Sequence, residues 1–200
     1  MLQQPLKHFW EDPMFEEGYF TYPNLYASVV KHFPTNSHFV EVGSWKGRSA
    51  AFLAVEIHNS EKVIRFDCVD PWEENQGGQY VGNIYEKFIN NTKQVSHLIN
   101  PIRHSSETAS MMYEDDSLDF VFIDGNHQYE YVKADIEAWL PKIKVGGILA
   151  GHDYGWCVDV RRAVHEVLGE GADSYTDQYG IAYKTYNDPW GEGCFIVNIR

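Results

Sequence analysis

A basic face is missing from this chain of 200 residues. It carries 16 lysines and arginines against 29 acidic residues, a net charge of −13 with histidine neutral, and no Lys/Arg-rich run. A domain that wraps a nucleic-acid backbone draws much of its affinity from basic contacts to phosphate, so nucleic acid is not an expected partner. Long apolar runs are missing too. None approaches the roughly 20 residues of a membrane span, and the opening MLQQPLKHFWEDP lacks the apolar core of a secretion signal. No membrane association is expected. Cysteine is scarce: Cys68, Cys157 and Cys194 are scattered, with no CxxC pair. That argues against a disulfide frame or a zinc site and for a reducing cytoplasm. Repeats and low-complexity tracts do not stand out.

What is present suits one domain with one well-filled core: ordinary length and a 44% apolar share. Aromatics make up 15%, with six Trp and thirteen Tyr, enough to line a pocket or lid as well as the core. From residue 38 onward, short β-branched runs alternate with helical patterns. Strands are expected at 38–42, 63–69, 100–103, 118–123 and 147–150. The run LDFVFI at 118–123 is nearly all apolar, as in a strand buried on both faces. Helices are expected at 47–59, 79–98, 129–140 and 158–168, three of them with apolar residues recurring at i, i+3, i+4 and i+7. Pro141 stops the third and Gly169 caps the fourth. Two further strand-like runs, around 181–186 and 194–198, have no helix between them and should pair antiparallel.

This pattern predicts an α/β fold: a Rossmann-like, mostly parallel sheet with helices on both faces and an antiparallel C-terminal edge hairpin. Residues 1–37, aromatic, acidic and irregular, read as an N-terminal cap or lid, 38–170 as the core and 171–200 as the edge hairpin. Ligands of such sheets bind beyond the carboxyl ends of the strands. The residues to examine therefore follow positions 42, 69, 103, 123 and 150.

The first of these turns is Glu41-Val42-Gly43-Ser44-Trp45-Lys46-Gly47. A dinucleotide fingerprint needs GxGxxG, and here a third glycine is absent. A P-loop needs Gly-Lys-Ser/Thr; here Gly47 precedes Arg48 and Ser49, and the spacing is short by one. The E-x-G-x-x-x-G pattern resembles motif I of class I S-adenosylmethionine (SAM) methyltransferases. That cofactor has no phosphate, so Gly43, Ser44 and Gly47 need only let the backbone approach it. Ser49 belongs to the same turn, and Glu41 would stand near the methionine ammonium. Alternatively, the glycines simply permit a tight turn. Asp70 ends the second strand, where a carboxylate, an acceptor with two oxygens, can take both ribose hydroxyls. Trp72 either stacks on adenine or packs. His104 and Ser105 follow the third strand and face the adenine edge in this reading, although Ser105 serves equally well as a helix N-cap.

The most specific stretch runs from 118 to 154: Ile123-Asp124-Gly125-Asn126-His127-Gln128-Tyr129, then Asp135-Ile136, Gly146-Gly147 and His152-Asp153. It resembles the methyltransferase-24 type of SAM-dependent methyltransferases, which includes macrocin-type O-methyltransferases of antibiotic sugars. The resemblance covers roughly 38–170. It implies a SAM cofactor and methylation of a hydroxyl, with the Asp and His of the I-D-G-x-H segment as metal ligand and base.

The residues themselves allow this. Asp124 and His152/Asp153 end neighbouring strands and can converge on a hard, oxygen-rich site suited to Mg²⁺. His127, with an unperturbed pKa near 6.5, can take a hydroxyl proton at neutral pH. The acceptor is then a small hydroxylated molecule, with sugars as one candidate class. A metal-free methyltransferase using His127 on another O or N acceptor, or a non-catalytic SAM-binding domain, remains open. An NAD oxidoreductase is disfavoured by the missing glycine. Asn187-Asp188-Pro189-Trp190 resembles the N-P-P-Y/W motif of amino-methylating nucleic-acid enzymes, but stands after the wrong strand. The oligomeric state is not legible, though the aromatic N-terminal arm offers a surface for a homodimer.

Overall fold

The computed structural model describes residues 4–13, 15, 20–73, 75–76, 79–80, 82–169, 175–176, 182–183 and 193–199. The 187–190 stretch lies outside them, as do most of 181–186 and most of the expected edge hairpin.

Six strands form one sheet: β1 (Ser37–Val42), β2 (Ile64–Val69), β3 (Asn100–Ile102), β4 (Leu118–Ile123), β5 (Ile143–Gly151) and β6 (Phe195–Asn198). Their order is β6-β5-β4-β1-β2-β3. All neighbours are parallel except β6, which runs antiparallel on β5. The antiparallel edge therefore sits where the sequence puts it. The described part of the other C-terminal run, Ala182–Tyr183, pairs with Tyr175–Thr176 in a separate ribbon.

Alternation along the strands divides the core in two. Phe39, Phe66, Phe120 and Phe122 point to one face, which is covered by α1 (Pro23–His32), α2 (Arg48–Asn59) and α3 (Ile84–Asn91). Val40, Val121, Ile123 and Leu149 point to the other, covered by α4 (Ser106–Ser110), α5 (Tyr129–Trp139) and α6 (Val158–Leu168). The N-terminal segment is not wholly irregular. Pro23 starts α1 at its first turn, where the missing N–H costs nothing, and Leu25, Tyr26, Val29 and Val30 are buried. Phe9, Phe15 and Phe20 join the same core. The expected helix at 79–98 is instead α3 followed by a 3₁₀ turn, Lys93–Leu98. The Asn83 side chain caps α3 by accepting from the Glu86 amide at 3.0 Å, so the helix begins there rather than at 79.

Strand register sets up the site. Val42 lies opposite Val69 on one side and Ile123 on the other, and Ile123 lies opposite Gly151. Gly43, Asp70, Asp124 and His152 consequently leave the sheet at one level, along one edge.

Candidate active site

A cavity of about 1150 Å³ opens at this edge, ample for a ligand of cofactor size together with a second small molecule. One wall is the β1 turn with Asp70; the other is the end of β4 and β5.

Gly43 and Gly47 both have positive φ, +90° and +81°, a region glycine enters at little cost. Gly43 also presses on protein: a Cβ there would lie 2.1 Å from the Asp124 carbonyl oxygen. Gly47, Ser44 and Ser49 lie on the cavity wall with it. Asp70 is buried, and its two oxygens accept from the backbone amides of Trp45 (2.9 Å) and Trp72 (2.6 Å). These bonds fix the carboxylate and favour its charge, but burial outweighs them and raises its pKa. A carboxylate has about four lone-pair positions, so acceptor capacity remains toward the cavity that Asp70 lines.

Three expected cofactor residues are placed elsewhere. Glu41 shares the strand face of Phe39, so it points beneath the turn toward α1. There it accepts from the Tyr26 hydroxyl at 2.7 Å. Burial raises its pKa to about 7, against the Ser44, Tyr26 and Ser49 hydroxyls that favour its charge. It is not on the cavity wall. Trp72 is fully buried, donates from Nε1 to the Trp45 carbonyl at 2.7 Å, and packs on Tyr85 and Phe88. It supports the turn rather than offering a stacking face. His104 is exposed and off the wall. Ser105 does both things open to it, lining the cavity and capping α4 by accepting from the Thr108 amide at 3.3 Å.

The other wall brings the expected groups together. Asp124 Oδ1 lies 3.6 Å from His127 Nε2 and 3.6 Å from His152 Nδ1. Asp153 Oδ2 lies 2.7 Å from His127 Nε2. Asp153 has φ +61°, a left-handed conformation that Asp tolerates better than most residues, and this turns its carboxylate back toward the β4 end. Ligand atoms of Asp124, His152 and Asp153 all fall within 4.8 Å of one another. Asp153 Oδ2 is buried, and no well-aligned hydrogen-bond donor reaches it. Two carboxylates, one imidazole and an under-served buried oxygen fit a hard divalent cation.

Sequence reasoning missed what holds this cluster. Tyr22 Oη donates to Asp124 Oδ2 at 2.8 Å, and Thr21 Oγ1 bonds His152 Nε2 at 2.8 Å. Trp156 Nε1 donates to Asp153 Oδ1. Tyr131 and Asp135 also line the cavity, and burial pushes Asp135 up to about 6. Pro23, a helix-starting proline, was the available signal that Thr21 and Tyr22 stand at an ordered entry to α1.

The electrostatics correct one expectation. Without a cation His127 is not near pKa 6.5: the carboxylates of Asp124 and then Asp153 beside it raise it to about 10. Burial would lower His152, but Asp124 and Asp153 outweigh it and lift that ring to about 9. Burial likewise opposes the charge of Asp124 and Asp153, yet the two imidazoles hold both carboxyls below their usual range. With no cation on the carboxylates, this arrangement favours the protonated form of His127 at neutral pH. The linkage has a definite sign. Histidines raised above about 6.5 stabilise the fold fully below that pH and lose the contribution as pH rises toward 9–10. The melting temperature, measured in chelator, should fall from pH 7 to 10, and His127→Gln should flatten that fall. Equal slopes for both proteins would rule out the His127 ion pair as the cause.

Residues 40–154 match the family model described as a methyltransferase domain, of the methyltransferase-24 type. The chain belongs to this family. The solved structures most informative about the methyltransferase fold are distant in sequence. A putative caffeoyl-CoA O-methyltransferase from Staphylococcus aureus superposes with TM-score 0.64 at 15% identity, over 92% of this chain and 85% of that one. The O-methyltransferase NovP gives 0.62 at 15%, over 90% and 80%. SMU.1697c from Streptococcus mutans, a putative methyltransferase in complex with SAH, gives 0.60 at 14%, over 90% and 97%. Among curated proteins, the chain is 29% identical over 115 residues to the uncharacterized protein y4gI of Sinorhizobium fredii. It is 28% identical over 140 residues to the uncharacterized protein R132 of Acanthamoeba polyphaga mimivirus. The matches span only 13% and 59% of those two proteins. Among the described residues, no helix is long and apolar enough to cross a membrane.

Proposed function

We propose that this methyltransferase uses SAM to methylate a hydroxyl of a small molecule, with a divalent cation such as Mg²⁺ at Asp124, His152 and Asp153. The observation that carries this reading is a single cavity with two chemically distinct walls meeting at Gly43 and Asp124. The turn side offers backbone and a fixed carboxylate for a nucleoside; the other side offers two carboxylates and an imidazole for an acceptor. SAM supplies an electrophilic methyl group, and the cation supplies Lewis acidity that lowers the pKa of a hydroxyl.

The chain's own part is alignment and charge. Asp70 accepts from the ribose hydroxyls. Asp124 and Asp153 hold the acceptor end in register with it, so that oxygen, methyl and sulfur can lie in line. His127 stands beside these carboxylates. A cation held there would offset the charge that keeps its proton, leaving the imidazole to take the hydroxyl proton as the methyl passes from sulfur to oxygen and S-adenosylhomocysteine leaves. Without a cation the two carboxylates favour protonated His127, which speaks against a metal-free enzyme with His127 as base. Two solved neighbours named as O-methyltransferases support an oxygen acceptor, and sugars are the class suggested by the macrocin-type resemblance. The net charge of −13 speaks against nucleic acid. The three cysteines, none of them in a disulfide, suit a reducing cytoplasm.

Calorimetry should give binding of SAM and S-adenosylhomocysteine and none of NAD. A screen of hydroxylated metabolites for S-adenosylhomocysteine release should find turnover that chelator lowers about a hundredfold. Failure to bind SAM overturns the whole reading. Full activity in chelator overturns the cation alone, and SAM binding without any turnover leaves a non-catalytic SAM domain.

A further inference from the structure

Trp156 stands out on the cavity wall. The residue is 55% exposed, an unusual position for the side chain with the most apolar surface to hide. Yet the ring is not loose. Gly193, at φ +75°, presses so closely that a Cβ there would lie 2.3 Å from the indole Cζ3. His152 meets the indole edge-on with centroids 4.9 Å apart. Nε1 donates to Asp153 Oδ1. An indole held on three sides and bare on the fourth has already lost its rotamer freedom, so a ligand stacking on it gains contact area at little entropic cost. Tyr131, also 55% exposed, lines the same cavity from α5.

We propose that Trp156 is the specificity-determining residue for the acceptor. Its exposed side receives a six-membered ring bearing adjacent hydroxyls, while its Nε1–H fixes Asp153 for those hydroxyls. The inference rests on the proposed function and deepens it by naming the acceptor's shape. The chemistry is a ring with a vicinal diol, carried either by an aromatic ring or by the C–H face of a pyranose. Aromatic–aromatic contacts and ring stacking both favour a rigid indole over an aliphatic wall. The acidic cluster beside it favours neutral hydroxyls that chelate over an anionic acceptor.

Two variants separate the two jobs of the side chain. Trp156→Phe keeps a ring face and removes the donor to Asp153. Trp156→Leu removes both. Binding of catechol, methyl glucoside and 1,2-propanediol is measured by calorimetry on the full chain with Mg²⁺ and S-adenosylhomocysteine, and Mn²⁺ binding by electron paramagnetic resonance. Both variants should weaken Mn²⁺ about tenfold, as loss of an outer-shell partner does. Wild type and Trp156→Phe should prefer a ring-bearing diol to propanediol by about tenfold, and Trp156→Leu should lose that preference. The preferred ring tells the aromatic source from the sugar source. An equal preference in Trp156→Leu, or none in wild type, overturns the proposal. Wild type that prefers the ring diol but binds no Mn²⁺ supports the stacking face while sinking the cation of the proposed function. Thermal melting of each variant confirms that an exposed position has been changed without loss of fold.

Discussion

Asp124→Asn should lower methyl transfer about a thousandfold and leave SAM affinity within about threefold. The side chain keeps its shape, so the fold around Tyr22 survives. The change is chemical. Asp124 Oδ2 accepts from Tyr22 at 2.8 Å, and Oδ1 stands 3.6 Å from both His127 and His152. An amide is neutral and presents a donor on one side, which a cation or an imidazolium cannot use. Two losses coincide: a cation ligand and the charge that orients the two histidines. A thousandfold is about 4 kcal/mol of barrier, within the range for removing one electrostatic element of a site. SAM is spared because the turn and Asp70 do not depend on that charge. His127 gives an independent check, since losing its first partner should bring its pKa down from about 10, visible by NMR titration. A loss of turnover below about tenfold would remove Asp124 from the reaction.

Most of the sheet was legible, for a local reason. LDFVFI at Leu118–Ile123 and the 3.6-residue pattern of Val158–Leu168 were read with their observed bounds, because each carries its own periodicity. Helix α1 was not recognised. Its buried Leu25, Tyr26, Val29 and Val30 repeat at i and i+4 and its exposed Asn24 and Lys31 lie seven apart, but the run is short and was read together with the irregular aromatic segment that precedes it. The helix expected over 79–98 failed on capping, since Asn83 starts α3 and the chain tightens to 3₁₀ after Thr92.

The candidate site was legible where it follows from topology and illegible where it depends on long-range contacts. Asp124, His152 and Asp153 could be brought together because their strands are neighbours. Tyr22 and Thr21 reach the cluster across 102 and 131 positions of sequence, and nothing local announces that. Glu41 illustrates a different limit. The motif marks it, but strand alternation decides which way it points, and the face of Phe39 leads to α1 rather than to the cavity. His127 was found as a residue, but its unperturbed pKa was not a guide, because its proton affinity in the cation-free fold comes from two carboxylates that only the folded turn supplies.

Gly43→Ala is expected to be the most damaging single methyl group in the chain. Two costs add. The residue has φ +90°, outside the regions an L-residue occupies comfortably. The new Cβ would also lie 2.1 Å from the Asp124 carbonyl oxygen, 2.5 Å from its carbon and 2.8 Å from the Gly125 Cα. All three are backbone atoms, so no side chain can swing aside. Relief requires the ends of β1 and β4 to part, yet the Asp124 amide donates to the Val42 carbonyl at 2.8 Å and the Gly43 amide to Val69 at 2.8 Å. A cost of about 3–5 kcal/mol is expected for strain and a lost strand-end bond together, a fall of roughly 6–20 °C in melting temperature for a domain of this size. Gly47→Ala is the control. Its φ of +81° is nearer the left-handed well, and its Cβ would meet side-chain atoms of Thr92 at 2.7 Å and Phe88 at 2.9 Å, which have some room to give. Gly43→Ala should therefore lose several-fold more stability than Gly47→Ala. It should also weaken SAM and Mn²⁺ together, since the same backbone contact places the cofactor turn and Asp124. Weakening of SAM alone, with Mn²⁺ binding intact, would show that the two walls of the cavity are built independently.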